Sequence, residues 1–212
     1  MNLRQQAYNN FTEKLLSRDL LPGQFVSQRE LVEITRMSLG AIREMVPRLE
    51  ADGLIKTVPK RGLQIAYIDL NLIRNAFQFR LFLERQAAEL FTRSAPQSEF
   101  DRIRKDHEDI LKAVTGDVDA GLIERAQLVD WNLHETIIDF LDNEIISNAY
   151  RVNFIKIRLI RQEQTSLTSE TIVRSLGEHM QVIDMFDQRD AVAAGRAIEA
   201  HIGSACSRAL SL

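Results

Sequence analysis

The sequence predicts a mainly α-helical protein with two segments, which we call the head (residues 1–68) and the body (residues 69–212). The head is predicted to be a winged helix-turn-helix with three helices and a β-hairpin wing, and the body an antiparallel all-α bundle of six helices. Hydrophobic residues make up 45% of the chain, while Gly and Pro number 9 and 4, which suits helices better than sheets. Helical periodicity runs through the body, whereas two short alternating stretches close the head.

The first two helices of the head are separated by a turn. Residues 5–18 carry apolar side chains on one helical face, and Pro22 and Gly23 end that helix. Ser27 precedes a short helix at about 28–34, and a glutamate three residues later completes the capping-box pattern. This pattern predicts a well-defined start for the second helix.

Small residues around Ser38 and Gly40 interrupt the helical pattern for only a few positions. Ser38 is a suitable N-cap for a third helix over about 39–52, which Gly53 ends. "LIKTV" and "LQIAYI" follow as two strands joined by "PKRG". A small-residue turn lets two helices cross steeply, as in proteins that place a helix in the DNA major groove. Pro47, inside the third helix, predicts a kink.

The charges divide unevenly between the two segments. The chain has a net charge of −3, but the head carries +3 and the body −6. Four cations from three elements of the head are expected on one side: Arg29, Arg43, Lys60 and Arg61. Ordinary solvated side chains would explain any one of them, but the set indicates a DNA-binding face.

Several motifs occur in the head in a fixed order: "L-x-P-G", "SQREL", a serine four residues before "IRE", "LEADGL", and a wing that ends in "RG". With them the head resembles the DNA-binding domain of GntR-type bacterial transcription regulators. The resemblance implies DNA contacts by Arg29, Ser38, Arg43, Arg61 and Gly62. Gly62 would let the wing backbone approach the minor groove. Leu39, Gly40 and Ala41 replace the basic-Thr-Pro sequence usual in the family, so an unusual operator is expected.

The body shows only helical periods. One long helix covers "LNLIRNAFQFRLFLERQAAELFTR". Five more are expected at about 97–115, 118–141, 144–164, 170–188 and 190–210, the first of them ending at Gly116. Short polar connections predict that neighbouring helices are antiparallel.

Three of the four histidines lie on the apolar faces of three different body helices: His134, His179 and His201. Asp130 precedes His134 by four residues and therefore shares its face. Three imidazoles and a carboxylate suit a divalent ion such as Zn, Ni, Mn or Fe, and hydrogen-bonded core histidines are the alternative. His107, in "RKDHEDI", is expected to be solvated.

The body also contains "FRLFLE", Asp-x-x-x-His at 130–134, "LDNEII" and a long segment from "EHM" to "EAHI". With these motifs it resembles the helical FCD domain of FadR-type regulators, in the six-helix branch. The resemblance implies a metal bound by Asp130, His134, His179 and His201, and a small carboxylate effector on that metal. Arg80 is either paired with Glu84 along its helix or a pocket cation for the effector. Asn153 is a further candidate for the same cavity.

The single cysteine, Cys206, excludes an internal disulfide and favours a reducing compartment. The N-terminal "MNLRQQAYNN" lacks the apolar core of a signal peptide. No apolar run approaches the roughly 20 residues of a membrane span. A cytoplasmic protein without a membrane partner is therefore expected.

Together these features predict a metabolite-responsive transcription regulator that binds a roughly palindromic operator as a homodimer. The alternative is a metal-dependent enzyme that uses the Asp/His3 site. An enzyme would need a general base or acid beside the open metal position. Glu178 is the nearest candidate in sequence, but helix geometry turns it about 100° away from its neighbour His179. The regulator is the favoured interpretation.

Overall fold

The computed structural model describes residues 2–114, 118–164 and 168–211, except for the side chains of residues 162–164. Within these ranges the chain forms nine helices and three short strands. In chain order they are α1 (Leu3–Leu16), β1 (Phe25–Val26), α2 (Gln28–Thr35), α3 (Leu39–Ala51), β2 (Ile55–Val58), β3 (Gly62–Ile65), α4 (Leu70–Ser94), α5 (Gln97–Ala113), α6 (Ala120–Asp139), α7 (Glu144–Gln164), α8 (Ser169–Asp187) and α9 (Ala191–Leu210). The predicted fold class is confirmed, while the predicted end of a helix at Gly116 lies outside the described residues.

The chain divides into two compact units. Unit 1 comprises Met1–Leu72 together with Phe154–Glu163, so most of the C-terminal half of α7 belongs to it. Unit 2 comprises Ile73–Asn153 and Gln164–Leu212. In the described part of the chain, no helix combines the length and the apolar character needed to cross a membrane.

Side-chain caps fix the starts of α2 and α3. The hydroxyl of Ser27 accepts from the backbone N–H of Glu30, whose carboxylate accepts from the Ser27 N–H at 2.6 Å. This completes the predicted capping box. Ser38 Oγ accepts from the N–H of Ala41 at 3.2 Å, as predicted for an N-cap. Arg36 ends α2 in the left-handed conformation, with φ at 56°, and so turns the chain toward α3.

The orientation of α3 follows its amphipathic sequence. Ile42, Val46 and Leu49 are buried in the apolar core of unit 1, and the neighbouring Arg43 is exposed, as the sequence predicts. The helix continues through Pro47. The fold of unit 1 thus leaves the polar face of α3 in solvent.

The wing is a three-stranded antiparallel sheet in the order β1-β3-β2. The prediction of two strands was incomplete, because Phe25 and Val26 pair with β3 opposite Gln64 and Leu63. A two-residue strand is too short to show an alternating pattern in the sequence. β1 ties the segment before α2 to the wing.

Unit 2 is built from α4 to α9, apart from the segments of α4 and α7 that belong to unit 1. A cluster of phenylalanine rings packs several of these helices together. The rings have centroids 5.1 to 5.5 Å apart and belong to Phe91, Phe100, Phe140 and Phe186. α6 spans 120–139 rather than the predicted 118–141. It starts later because the carboxylate of Asp119 accepts from the N–H of Leu122 at 2.7 Å and caps the helix.

Candidate functional site

The six residues predicted to contact DNA are all exposed on unit 1: Arg29, Ser38, Arg43, Lys60, Arg61 and Gly62. Two of these arginines contact neighbouring side chains. Arg43 Nε donates to Gln28 Oε1 at 3.4 Å, which joins α3 to the start of α2. The guanidinium of Arg61 lies 3.8 Å from the centre of the Phe25 ring, a distance typical of a cation–π contact.

Gly62 and Ser38 each have a role inside the fold. Gly62 has a φ of +96°, and a Cβ at this position would lie 2.9 Å from the carbonyl oxygen of Val26. A side chain there would therefore disturb the contact between β3 and β1. The hydroxyl of Ser38 is engaged as the cap of α3. Lys60, at the tip of the wing, has a φ of 63°.

Three buried histidines of unit 2 form the second candidate site, which we call the His cluster: His134 of α6, His179 of α8 and His201 of α9. One ring nitrogen from each lies within 4.8 Å of the others. His179 Nε2 is 3.2 Å from His201 Nε2. The three inward positions predicted from helical spacing therefore converge.

Each ring of the His cluster is held at Nδ1 by another side chain. His134 Nδ1 is 2.7 Å from Glu84 Oε2, and His201 Nδ1 is 2.8 Å from Glu178 Oε2. The third contact, of 3.0 Å, joins His179 Nδ1 to Nε2 of His107. Such outer contacts orient imidazoles that bind metal ions. They leave the Nε2 atoms of His179 and His201 facing each other, 3.2 Å apart.

Asp130 lies beside the His cluster, one turn before His134. Its Oδ1 is 3.9 Å from His179 Nε2 and accepts a 2.7 Å hydrogen bond from the hydroxyl of Ser175. The carboxylate is buried. All four predicted metal ligands are thus near one point of unit 2, with the three imidazoles nearest to one another.

Glu84 is the centre of a buried hydrogen-bond network. Its carboxylate accepts from Arg80 Nε at 2.6 Å, from the Tyr150 hydroxyl at 2.8 Å and from His134. Burial raises the pKa of Glu84, but Arg80 and His134 outweigh it and hold the pKa well below its usual value. Glu84 is therefore an anion that orients a ring of the His cluster.

Burial keeps two rings of the His cluster neutral. It lowers the pKa of His179 well below the usual histidine value, and neighbouring His201 lowers it further. Burial likewise lowers the pKa of His201 to about 4, although Glu178 acts in the opposite direction. Neutral imidazoles have the lone pairs that a metal ion requires.

The donor set fits a divalent transition-metal ion. Metal–nitrogen bonds of about 2.0–2.1 Å at tetrahedral or octahedral angles place two ligand nitrogens about 2.8–3.4 Å apart. The 3.2 Å between His179 Nε2 and His201 Nε2 falls in this range. Imidazoles with an added carboxylate suit Zn, Ni, Mn or Fe.

Family models match both parts of the chain. The FCD domain matches residues 75–204, and the model of bacterial regulatory proteins of the gntR family matches residues 3–65. The chain belongs to the GntR family and carries an FCD domain.

Several proteins are similar to this GntR-family chain in sequence or in fold. It is 26% identical over 207 residues to the HTH-type transcriptional regulator YdhC of Bacillus subtilis (strain 168), covering 95% of this chain and 88% of the relative. The structure of E. coli McbR/YncC has a TM-score of 0.76 at 15% identity, over 100% of this chain and 98% of the other. The metal-free FCD domain of TM0439 has a TM-score of 0.57 at 20% identity, over 69% and 96%. The family and YdhC are transcription regulators, so this chain is a DNA-binding transcription regulator and not an enzyme.

The prediction that His107 of the GntR-family regulator is solvated was wrong. Its ring is buried against His179. The charged neighbours in "RKDHEDI" concealed the helical spacing of the position. Phe100, Ile103 and Ile110 are buried on the same helix, and the interval from Ile103 to His107 to Ile110 is that of one helical face.

Glu178 turns away from its neighbour His179 as expected, but it contacts another ring of the His cluster, which the sequence did not indicate. This ring is that of His201 on α9, and Glu178 accepts further hydrogen bonds from Ser204 and Arg208. Burial raises the pKa of Glu178, but these hydrogen bonds together lower it to about 2. Spacing within one helix did not reveal a contact made across two helices.

Arg80 and Asn153, the predicted effector-binding residues, are both buried and bonded within unit 2. Arg80 pairs with Glu84 through Nε and Nη2, at 2.6 and 3.3 Å. Asn153 Nδ2 donates to the carbonyl oxygen of Ala76 at 3.0 Å. Ala76 lies one turn before Arg80 in α4, so both side chains are near the same stretch of that helix.

Proposed function

We propose that the operator affinity of this regulator is controlled by a small carboxylate metabolite that binds at a divalent metal ion in the FCD domain. Residues 1–68 form the DNA-binding domain, and residues 69–212 the domain for metal, effector and dimerisation. The operator lies in the bacterial cytoplasm, which is where the protein acts.

The convergence of the three imidazoles carries this proposal. His134, His179 and His201 would hold the ion with Asp130, since their Nδ1 atoms are already engaged and one nitrogen of each ring lies within 4.8 Å of the others. A bound ion of this kind supplies an open coordination position that suits a carboxylate oxygen. Four protein ligands leave about two positions free on an octahedral ion.

We also propose that Arg80 contacts the acid when the effector binds. Its buried guanidinium is paired with Glu84, which in turn contacts His134, so an effector carboxylate would share or replace Glu84 as the partner of Arg80. Arginine pairs with carboxylates through two N–H groups. Asn153, beside the same part of α4, is proposed to assist in binding the effector.

On unit 1, we assign the DNA face to the exposed residues Arg29, Ser38, Arg43, Lys60, Arg61 and Gly62. Arg43 projects from the helix that enters the major groove in winged helix-turn-helix proteins. Its contact with Gln28 limits the directions its guanidinium can take. The Phe25 ring does the same for Arg61 at the wing.

A homodimer is supported by an apolar stripe on α4. Phe82 is 64% exposed and Leu90 46% exposed, and the partly buried Phe79 and Leu83 fall on the same side of the helix. Large apolar side chains in a row on one helix face mark a protein contact. We propose that a second copy of the chain covers this stripe, since two-fold symmetry matches a palindromic operator.

Thermal unfolding tests the metal and the acid together. The chain is stripped with a chelator, loaded with Zn, Ni or Mn, and heated with each member of a carboxylic acid series. A ligand that binds only the folded state raises the melting temperature, by an amount that grows with its concentration above Kd. An acid that raises it only in the metal-loaded chain supports the proposal.

His201→Ala is the matched variant, and it should lose both metal binding and the response to acid. Fluorescence anisotropy with an operator selected from random DNA then shows whether the same acid changes DNA affinity. An acid that stabilises the metal-free chain and the His201→Ala variant equally would refute the role of the metal. An acid that stabilises the loaded chain but leaves operator affinity unchanged would refute its role as effector.

A further inference from the structure

His107 of α5 is buried beside the His cluster, with 1% of its surface exposed. Its Nδ1 lies 2.8 Å from the carbonyl oxygen of Ile103, one turn earlier in the same helix. Its Nε2 lies 3.0 Å from Nδ1 of His179, which belongs to α8. His107 therefore connects a backbone carbonyl to one ring of the His cluster.

The chemistry of these two contacts fixes the position of each proton. A carbonyl oxygen only accepts, so the proton shared with Ile103 is on Nδ1 of His107. A neutral imidazole carries one proton, so Nε2 of His107 is an acceptor and Nδ1 of His179 donates to it. By the same rule, Nε2 of His179 has no proton and directs a lone pair into the His cluster.

The other two rings are held at Nδ1 by carboxylates. Glu84 and Glu178 only accept when ionised, so His134 and His201 each donate from Nδ1. His179 differs because a neutral side chain takes the place of the anion. Its tautomer depends on the tautomer of His107, and hence on the backbone carbonyl of α5.

We propose that His107 is a positioning residue, which holds His179 as the Nδ1-protonated tautomer with its Nε2 lone pair facing the His cluster. Without an acceptor at position 107, the proton of His179 would move to Nε2, where Nε2 of His201 accepts it at 3.2 Å. That proton would occupy the space of a metal ion. That this tautomer prepares His179 to bind a metal ion rests on the proposed function, but the tautomer itself can be observed in the metal-free chain.

The test compares two variants of His107 and one control in the full 212-residue chain. His107→Gln keeps an oxygen that accepts from His179 and an amide that donates to Ile103. His107→Leu keeps neither. Thr92→Val removes a buried hydroxyl that donates to the Ala88 carbonyl at 2.6 Å, so it controls for the loss of a buried hydrogen bond elsewhere in unit 2.

Two measurements are made on each protein. Nitrogen-15 NMR of the histidine rings reports the tautomer of His179 in the metal-free chain, and competition with a chromophoric chelator gives the zinc affinity. Wild type and His107→Gln should show the proton on Nδ1 and similar zinc affinity. His107→Leu should show the proton on Nε2 and bind zinc about 10–100-fold more weakly, the usual effect of losing an outer contact. Thr92→Val should keep the wild-type zinc affinity.

A proton on Nε2 of His179 in the wild-type spectrum overturns the proposal, whether or not the chain binds zinc. Equal zinc affinity of His107→Leu and Thr92→Val overturns it as well. If wild type binds no zinc, the proposed metal-dependent function fails, while the spectrum of the metal-free chain still decides the role of His107. If His107→Leu does not fold, the wild-type and His107→Gln spectra decide.

Discussion

Replacing Glu84 with glutamine should destabilise the FCD domain strongly. The Glu84 carboxylate is fully buried and accepts hydrogen bonds from Arg80, Tyr150 and His134. Glutamine has one accepting oxygen, and its amide group would face a donor in place of the second oxygen. The buried guanidinium of Arg80 would also lose its counter-charge.

The loss of one partner from a buried ion pair typically costs about 3–5 kcal/mol, because the other charge stays buried and uncompensated. In a chain of this size each kcal/mol lowers the melting temperature by about 2–4 °C. Glu84→Gln should therefore lower it by about 6–20 °C. Replacing both partners by apolar residues, as in Arg80→Met with Glu84→Leu, should recover much of the loss, since no buried charge remains.

Urea unfolding measures this change, followed by the fluorescence of Trp131, the one tryptophan in the chain. Trp131 is buried in α6 next to Asp130, so its emission reports the folding of unit 2. Glu170→Gln is the matched control, because Glu170 pairs with Arg174 at 2.7 Å on a helix surface and its side chain is 79% exposed. An exposed pair at this spacing contributes about 0.3–0.5 kcal/mol.

A loss of less than about 1 kcal/mol in Glu84→Gln, a value close to that of a surface pair, would refute this prediction. It would mean that the charges of Arg80 and Glu84 are screened despite their burial.

The remaining predictions concern the DNA face and the dimer. Arg43→Ala should weaken operator binding by about 1–3 kcal/mol if Arg43 contacts a base edge. Lys60→Ala should weaken binding to all DNA sequences and reduce the salt dependence of the affinity, as expected for a phosphate contact. If both variants bind the operator with wild-type affinity in anisotropy titrations, the DNA face is wrongly assigned. Phe82→Glu should shift the protein from dimer to monomer in sedimentation, because it places a charge in the proposed apolar contact, and an unchanged dimer would exclude the α4 stripe. Gly62→Ala should lower the melting temperature of the protein even without DNA, since the added Cβ would lie 2.9 Å from the carbonyl oxygen of Val26. A variant that loses DNA binding at unchanged melting temperature would show that Gly62 acts only in the contact with DNA.

Local signals in the sequence were sufficient for much of this fold. The capping box at Ser27 and the N-cap at Ser38 are patterns of a few adjacent residues, and both are present in the structure. The inward positions of His134, His179 and His201 follow from the spacing of apolar residues within single helices. What these signals have in common is that each lies within one element.

Contacts between elements were beyond such reasoning. β1 has two residues and is a strand only because β3 pairs with it. Glu178 turns away from its neighbour His179, yet α9 brings His201 to it. His107 lies among charged residues of α5, and only the packing of α5 against α8 brings it to His179. The convergence of the three histidines could be predicted, but the residues that orient their rings could not.

The convergence of three imidazoles in the His cluster has a consequence for gene control. Nitrogen-rich sites bind Ni and Zn more tightly than Mn or Fe, and which ion fills them in a cell depends on availability. On the proposed function, the acid is bound only by chains that already hold an ion. Transcription would then depend on the concentrations of both the metal ion and the acid. A cell that lacks the ion would not respond to the acid at any concentration.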